Sequence, residues 1–393
     1  MIKSNTFIQF DPCSVPSPCF VVDEIAIENN LKILQYVQQQ SGAKILLALK
    51  AFSMFSLAPL IGRYLSGTCS SGLHEARLGR EEFANKPYHE VHTFSAAYTE
   101  ADLREILLLS DHVVFNSFGQ WQRFQPILAA EKLKRPELQF GLRVNPLHSE
   151  GAEPIYDPCA PGSRLGIPYH LFKKQSLEGI TGLHFHTLCE QAFEPLARTL
   201  DIIEKQFADI LPTLQWVNFG GGHHITQESY NIRGLITRII AFQEKYDVQV
   251  YLEPGEAIAI NSGILVSEVL DITHNSMDLA ILDSSATCHM PDTIEMPYRA
   301  DVFGAGKSHE LAYTYRLGGQ TCLAGDVMGD YSFDQPLVIG QRLMFDDMSH
   351  YTMVKTTTFN GIALPTIAIW NSKTNKVRLV KKFDYQDFKE RLS

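Results

Sequence analysis

The stretch Ile45-Leu46-Leu47-Ala48-Leu49-Lys50-Ala51-Phe52-Ser53 decides how the rest of the chain is read. A run of strand-forming apolar residues ends abruptly in one lysine, and small and polar residues follow. A lysine closing a buried strand loses hydration unless something uses its amine or its stem carries the charge back to water. Lys50 is therefore a candidate imine-forming lysine, and the residues at the ends of the other strands test that reading.

Outward from this stretch, residues 45 to about 255 alternate short apolar strands with amphipathic segments of helical length. The strands are predicted at Ile45–Lys50, Gly67–Ser70, Val91–Ser95, His112–Asn116, Gln139–Asn145, Gly182–Thr187, Trp216–Phe219 and Val248–Glu253. Helices are predicted at Leu73–Phe83, Glu100–Leu109, Gly119–Glu131 and Phe193–Ile210. Eight strands with crossover segments predict a (β/α)8 barrel, with a doubly wound open sheet as the alternative. Residues 146 to about 167, rich in Pro, Gly and Ser, read as a long loop after the fifth strand. A leading strand at Cys19–Asp23 and a helix at Glu24–Gln40 precede the barrel. After about residue 262 the strands Gly263–Thr273, Leu279–Ser284, Leu337–Phe345 and Leu364–Trp370, with little helix between them, predict a second, mostly β domain. The expected division is 1–23, an N-terminal segment packing with the β domain; 24–262, the barrel; and 263–393, the β domain.

A (β/α)8 barrel builds its active site at the C-terminal ends of its strands. Those positions hold Lys50, Ser71, Ser95, Asn116, Arg143, His186, Gly220-Gly221-Gly222 and Glu253. The glycine triplet would let backbone N–H groups approach a phosphate. Glu253 on the barrel axis needs a cationic partner, which a protonated pyridine nitrogen would supply. His184 and His186 share one face of their strand, and an imidazole there could stack on a planar ring. His223 and His224 lack companion ligands at metal spacing and read as loop histidines, so no metal is expected.

The bulk properties narrow the field. The 393 residues exceed the usual size of one core. A formal charge of -10 argues against nucleic acid or an anionic membrane as partner and is compatible with a cationic ligand. No apolar run has the length of a membrane span, and the first residues lack the apolar core of a signal peptide. The seven cysteines are scattered, without a CxxC pair, as expected of reduced thiols in a cytoplasm.

Taken in order, these residues resemble the fold-type III pyridoxal-phosphate decarboxylases, which include diaminopimelate, ornithine and arginine decarboxylases. The resemblance runs from about residue 18 to residue 362. It is carried by Ala48-Leu49-Lys50-Ala51, Ser70-Ser71-Gly72, Leu142-Arg143-Val144-Asn145-Pro146, Ser163-Arg164-Leu165-Gly166-Ile167, Gly182-Leu183-His184-Phe185-His186, Phe219-Gly220-Gly221-Gly222 and Glu253-Pro254-Gly255. The β domain adds Cys322-Leu323-Ala324-Gly325-Asp326, Tyr351-Thr352 and Phe359-Asn360-Gly361. Three departures stand out. Glu256 replaces an arginine that helps hold the phosphate, Leu323 replaces an acidic residue that contacts a short substrate's distal amine, and Ser71-Gly72-Leu73-His74-Glu75 replaces a compact Ser-Gly-Gly-Glu pattern. They resemble the carboxynorspermidine/carboxyspermidine decarboxylase branch.

That resemblance implies pyridoxal phosphate on Lys50, its ring stacked on His186 and its nitrogen held by Glu253. It also implies a phosphate held by Gly220, Gly221, Gly222 and Tyr351, with Arg143 beside the cofactor. Cys322 would be the acid, supplied across a homodimer, and Glu256, Asp326 and Leu323 would face the substrate, a carboxylated triamine. Rival readings are a decarboxylase of ornithine or diaminopimelate, which Leu323 disfavours, and a racemase, which Glu253 disfavours. A carrier of the cofactor without catalysis would lack the β domain.

Overall fold

The computed structural model describes residues 6–151, 153–173 and 175–393. The chain forms two compact units, Glu28–Ile258 and the segment up to Ile27 joined with Ala259–Ser393. Strand β1 (Cys19–Asp23) opens helix α1 (Glu24–Ser41). The units part inside the 24–262 span because residues at both of its ends bond to the second unit. Asn371 Nδ2 donates to Glu24 Oε1 at 2.7 Å, Asp23 N to Ser262 O at 2.7 Å, and Ser349 Oγ to Ala259 O at 3.0 Å.

The first unit is a closed parallel barrel. Its strands are β2 (Lys44–Ala48), β3 (Gly67–Ser70), β4 (Glu90–Phe94), β5 (His112–Phe115), β6 (Gln139–Asn145), β7 (Gly182–His184), β8 (Trp216–Asn218) and β9 (Gln249–Leu252). Each pairs with the next, and β9 returns to β2 through Tyr251↔Lys44 and Leu252↔Ile45. This is the (β/α)8 architecture, not an open sheet. Near the N-terminal end of the barrel, Trp216 fills the space left by two glycines. A Cβ on Gly141 would lie 2.4 Å from its ring, and one on Gly182 2.0 Å from it.

Six ladders stop earlier than the apolar runs predict, at Ala48, Phe94, Phe115, His184, Asn218 and Leu252. Turn bonds replace strand bonds there: Ala51 N donates to Ala48 O at 3.1 Å, and Gly220 N to Asn218 Oδ1 at 2.8 Å. The residues just beyond the ladders thus sit in fixed turns at the barrel mouth. The long loop after β6 is tied down by two asparagines. Asn116 donates to Arg164 O and accepts from Gly166 N, both at 2.7 Å. Asn145 donates to Leu165 O at 3.2 Å.

In the second unit β1 lies between β10 (Gly263–His274), antiparallel, and a parallel strand at Thr366–Asn371. Between them in sequence come β11 (Asp278–Leu282), β12 (Tyr313–Gly318), β13 (Val327–Phe333) and β14 (Arg342–Phe345), and Thr366–Asn371 is β15. Every residue of β1 is buried, and neighbours alternate between two cores. Phe20 joins Leu265, Tyr331 and Phe345, while Cys19 and Val21 join Phe7, Ile264 and Trp370. Two strands the sequence reading does not anticipate, β12 and β13, pair with a register shift between Leu317 and Gly318. That irregularity breaks the period-2 pattern by which strands are recognised. No helix among the described residues is long and apolar enough to cross a membrane.

Candidate active site

Lys50 stands in the turn after β2, reached by solvent yet surrounded by protein. Burial lowers its amine below the ordinary lysine range, and the nearby Arg143 charge adds to this, while Cys69, Glu253 and Cys189 oppose it. Glu253, just past β9, receives hydrogen bonds on both oxygens. Asn218 Nδ2 donates to Oε1 at 2.7 Å and His184 Nε2 to Oε2 at 3.1 Å. The Cys69 thiol bonds to it as well. Burial pushes the Glu253 carboxyl up, but His184, His92 and Asn218 together bring it down to about 2. An ionised carboxylate is thus held inside the barrel.

His186 is fixed by Gly221, whose N–H donates to Nδ1 at 2.9 Å. Burial, then the charges of Lys50 and Arg143, hold the imidazole well below the usual histidine range. The ring is therefore neutral and carries its hydrogen on Nε2. Arg143 is buried with its guanidinium 4.6 Å from the centre of the Phe94 ring, and Nη2 donates to His186 O at 3.2 Å. Burial lowers its pKa to about 10, so it stays cationic at neutral pH.

The glycine triplet has a packing role that the sequence alone does not reveal. A Cβ on Gly221 would lie 2.2 Å from Glu253 O, and one on Gly220 2.4 Å from Phe185 O. The N–H groups of Gly220 and Gly221 are already engaged, by Asn218 and His186. These two amides thus serve the site's own frame.

Glu256 turns toward His224, whose Nε2 lies 3.2 Å from Oε1, and Gln227 Nε2 donates to His224 Nδ1 at 2.7 Å. Glu190 joins them, with one ligand-type atom of each residue within 4.8 Å of the others. His223 is a buried loop histidine bonded to Gly220 O at 2.9 Å. Glu75, in the stretch that replaces the Ser-Gly-Gly-Glu pattern, accepts from Ser71 N at 2.6 Å.

The barrel thus brings together Lys50, Arg143, His186, Glu253 and the glycines. Cys322, Leu323, Asp326 and Tyr351 belong to the second unit. There Cys322 and Leu323 are exposed, and Tyr351 occupies a left-handed turn position with φ 46°. Asp326 is buried under several hydrogen bonds from its own domain. Sequence reading passed over Asn218 and Cys69, both partners of Glu253. A polar Asn218 closing the buried strand Trp216-Val217-Asn218 was the available signal.

A lysine, a buried carboxylate and a flat imidazole thus meet in one barrel mouth, a set suited to a cationic heteroaromatic carbonyl group. Residues 19–349 match the family described as pyridoxal-dependent decarboxylase, C-terminal sheet domain, and the chain belongs to that family. Its relatives include a carboxynorspermidine/carboxyspermidine decarboxylase of Campylobacter jejuni, 42% identical over 95% of this chain and 98% of the relative. A carboxyaminopropylagmatine decarboxylase of Synechocystis is 43% identical over 96% of each chain. The crystal structure of the Campylobacter jejuni carboxynorspermidine decarboxylase complexed with norspermidine superposes with a TM-score of 0.86 at 41% identity, covering 96% of this chain and all of that one.

The residues fit the family's cofactor. Glu253 offers an ionised carboxylate for a pyridinium, Lys50 an accessible amine, and His186 a neutral ring held by Gly221.

Proposed function

We propose that this chain decarboxylates carboxynorspermidine and carboxyspermidine, carboxylated triamines, with pyridoxal phosphate held in the barrel mouth. Bound there, the cofactor supplies an electron sink for the pair left on Cα when carbon dioxide departs. The observation that carries the reading is Glu253, ionised and hydrogen-bonded on both oxygens inside the barrel, in a chain that matches a decarboxylase of carboxylated polyamines over 95% of its length.

The chain's own groups then have distinct tasks. The lowered pKa of Lys50 enlarges the fraction of neutral amine able to attack a carbonyl carbon. Glu253 keeps a proton on the pyridine nitrogen, and His184 and Asn218 fix where its oxygens point. His186 offers an uncharged face, so that ring stacking adds no second positive charge beside the pyridinium. Arg143 braces the His186 backbone and keeps a positive field in the mouth. The backbone of the Gly220–Gly222 turn and the Tyr351 hydroxyl would hold the phosphate. Cys322 delivers the proton to Cα from across a homodimer, and Glu256 with Leu323 faces the substrate's amine-bearing arm. All seven cysteines are free thiols, which suits a reducing cytoplasm.

Carbon dioxide release, measured side by side on carboxynorspermidine, carboxyspermidine, carboxyaminopropylagmatine, ornithine and diaminopimelate, tests the substrate. A carboxylated triamine should give the highest kcat/KM. Best turnover of ornithine or diaminopimelate would overturn the assignment. The guanidino substrate is the runner-up, because the Synechocystis relative is named for it. For the shared site, mixing the inactive Lys50→Ala and Cys322→Ala variants should restore about a quarter of the activity through heterodimers with one intact site. No recovery on mixing would remove the homodimer proposal.

A further inference from the structure

Asp326 was expected to face the substrate, and its surroundings point elsewhere. The carboxylate is buried, and among the described residues it accepts from neutral donors of its own domain. Oδ1 takes Ser285 Oγ at 3.0 Å and Thr287 N at 3.1 Å. Oδ2 takes Ser285 Oγ at 2.9 Å, Thr321 N at 3.1 Å and Thr321 Oγ1 at 2.7 Å. No lysine or arginine among the described residues pairs with it. A buried carboxylate without a cation is costly unless its lone pairs are filled, and here they are.

The filled lone pairs hold one short loop. Gly319 N donates to Asp326 O, and Asp326 N to Leu323 O, both at 2.9 Å, so residues 319–326 wrap around their own carboxylate. Gly319 has to lack a side chain, since a Cβ would lie 2.3 Å from Asp326 Oδ2. Thr321, held twice by Asp326, immediately precedes Cys322. From the other side Cys322 N donates to Asn360 Oδ1 at 2.8 Å. The backbone of an exposed thiol is thereby fixed from both flanks while the thiol itself stays in the open.

We infer that Asp326 is a positioning residue for Cys322 and not a substrate anchor. The inference rests on Cys322 as proton donor. A donor has to reach one carbon from one direction, and a loop tip alone does not hold a side chain to that tolerance. The Asp326 carboxylate converts the tip into a rigid mount.

The test uses the full-length holoenzyme. Asp326→Asn keeps the shape but replaces an acceptor oxygen with an N–H₂ group that meets the Thr321 and Ser285 donors. The expected result is a kcat loss on the order of tenfold to a hundredfold with KM changed less than about threefold. Cys322 alkylation by iodoacetamide, followed by peptide mass mapping, should change in rate by more than about threefold. Asp326→Glu, which restores an acceptor, should recover part of both. Thr321→Val removes a single hydroxyl bond, so it tests the same mount if Asp326→Asn does not fold, and it should act in the same direction more weakly. A rise in KM with kcat retained would make Asp326 a substrate anchor and overturn the inference, as would an unchanged alkylation rate in both variants. Wild-type kcat in Cys322→Ala would instead remove the proton-donor role on which the kcat expectation depends, whereas the alkylation rate reads the mount directly.

Discussion

Two of the glutamate–histidine pairs in the barrel unit stand at opposite ends of its strands, and they are built for opposite purposes. Near the C-terminal mouth Glu253 bonds to His184 at 3.1 Å; at the opposite end Glu90 bonds to His92 at 2.9 Å. Both carboxyls are held below the ordinary range although burial alone would raise them. The difference lies in what else each pair meets. Glu90 also binds the Lys44 ammonium, and His92 stacks on His112 at 3.9 Å beside Tyr251 and Trp216. That cluster is closed, with its cation supplied by the chain itself. Among the described residues the Glu253 carboxylate takes hydrogen bonds from Asn218, His184 and a thiol, with no ammonium bonded to it, and Lys50 stands in an open mouth nearby. One end neutralises its carboxylate internally; the other keeps it for a cationic guest.

The strongest way to break this comparison is at Lys50. Lys50→Ala should lower decarboxylation by more than about a thousandfold, ~4 kcal/mol of transition-state stabilisation, with the fold intact. Borohydride reduction of the wild type should place the pyridoxyl label on Lys50 by peptide mapping, and a label on another lysine would end the assignment.

Next come the two glutamates themselves. Glu253→Gln should cost on the order of a hundredfold in kcat with little change in urea midpoint, since an amide cannot stabilise a pyridinium. Glu90→Gln should do the reverse, leaving kcat within about threefold and lowering stability by about 1–3 kcal/mol as Lys44 and the histidines lose their acceptor. Equal effects of the two substitutions on both readouts would erase the distinction between the ends.

The smallest effect is a pH dependence. His112 is held well below the usual histidine value of 6.5 by burial first and then by the charge of His92. The unfolded chain therefore binds the extra proton, and stability falls as pH drops below 6.5. The depressed carboxyls act in the same sense lower down: their contribution is complete above 4.5 and is lost as pH falls toward their folded values, about 2 for Glu253. Urea midpoints measured from pH 8 to pH 4 should show His112→Gln with a shallower decline below pH 6.5, by up to ~1.4 kcal/mol per pH unit. An unaltered slope would mean that His112 carries its proton in the folded state.

The mouth of the barrel was legible because parallel strands buried on both faces give apolar runs that stop where the chemistry begins. Lys50 and Glu253 follow that rule, whereas Arg143 stands inside β6, two residues before its end. What escaped detection depends on partners distant in sequence. Glycines 220 and 221 read as a phosphate loop, yet their missing side chains answer to Phe185 and Glu253 pressing from adjacent strands. Asp326 reads as a substrate contact because it follows a cysteine, but its ligands Ser285 and Thr287 sit on a separate short helix and its start. Strands β12 and β13 were hidden by their irregular register.

Strand β1 carries one more consequence, for the order in which the protein is made. Cys19–Asp23 leaves a ribosome before any strand of the barrel, yet its antiparallel partner begins at Gly263 and its parallel partner ends at Asn371. All the strands of the barrel are synthesised while this apolar segment waits. The barrel is thus free to form first, tethered to an apolar strand that stays sticky until Gly263–His274 and then Thr366–Asn371 emerge. A nascent chain stalled before Thr366 would hold a finished barrel beside an open β-edge, the template on which aggregation starts.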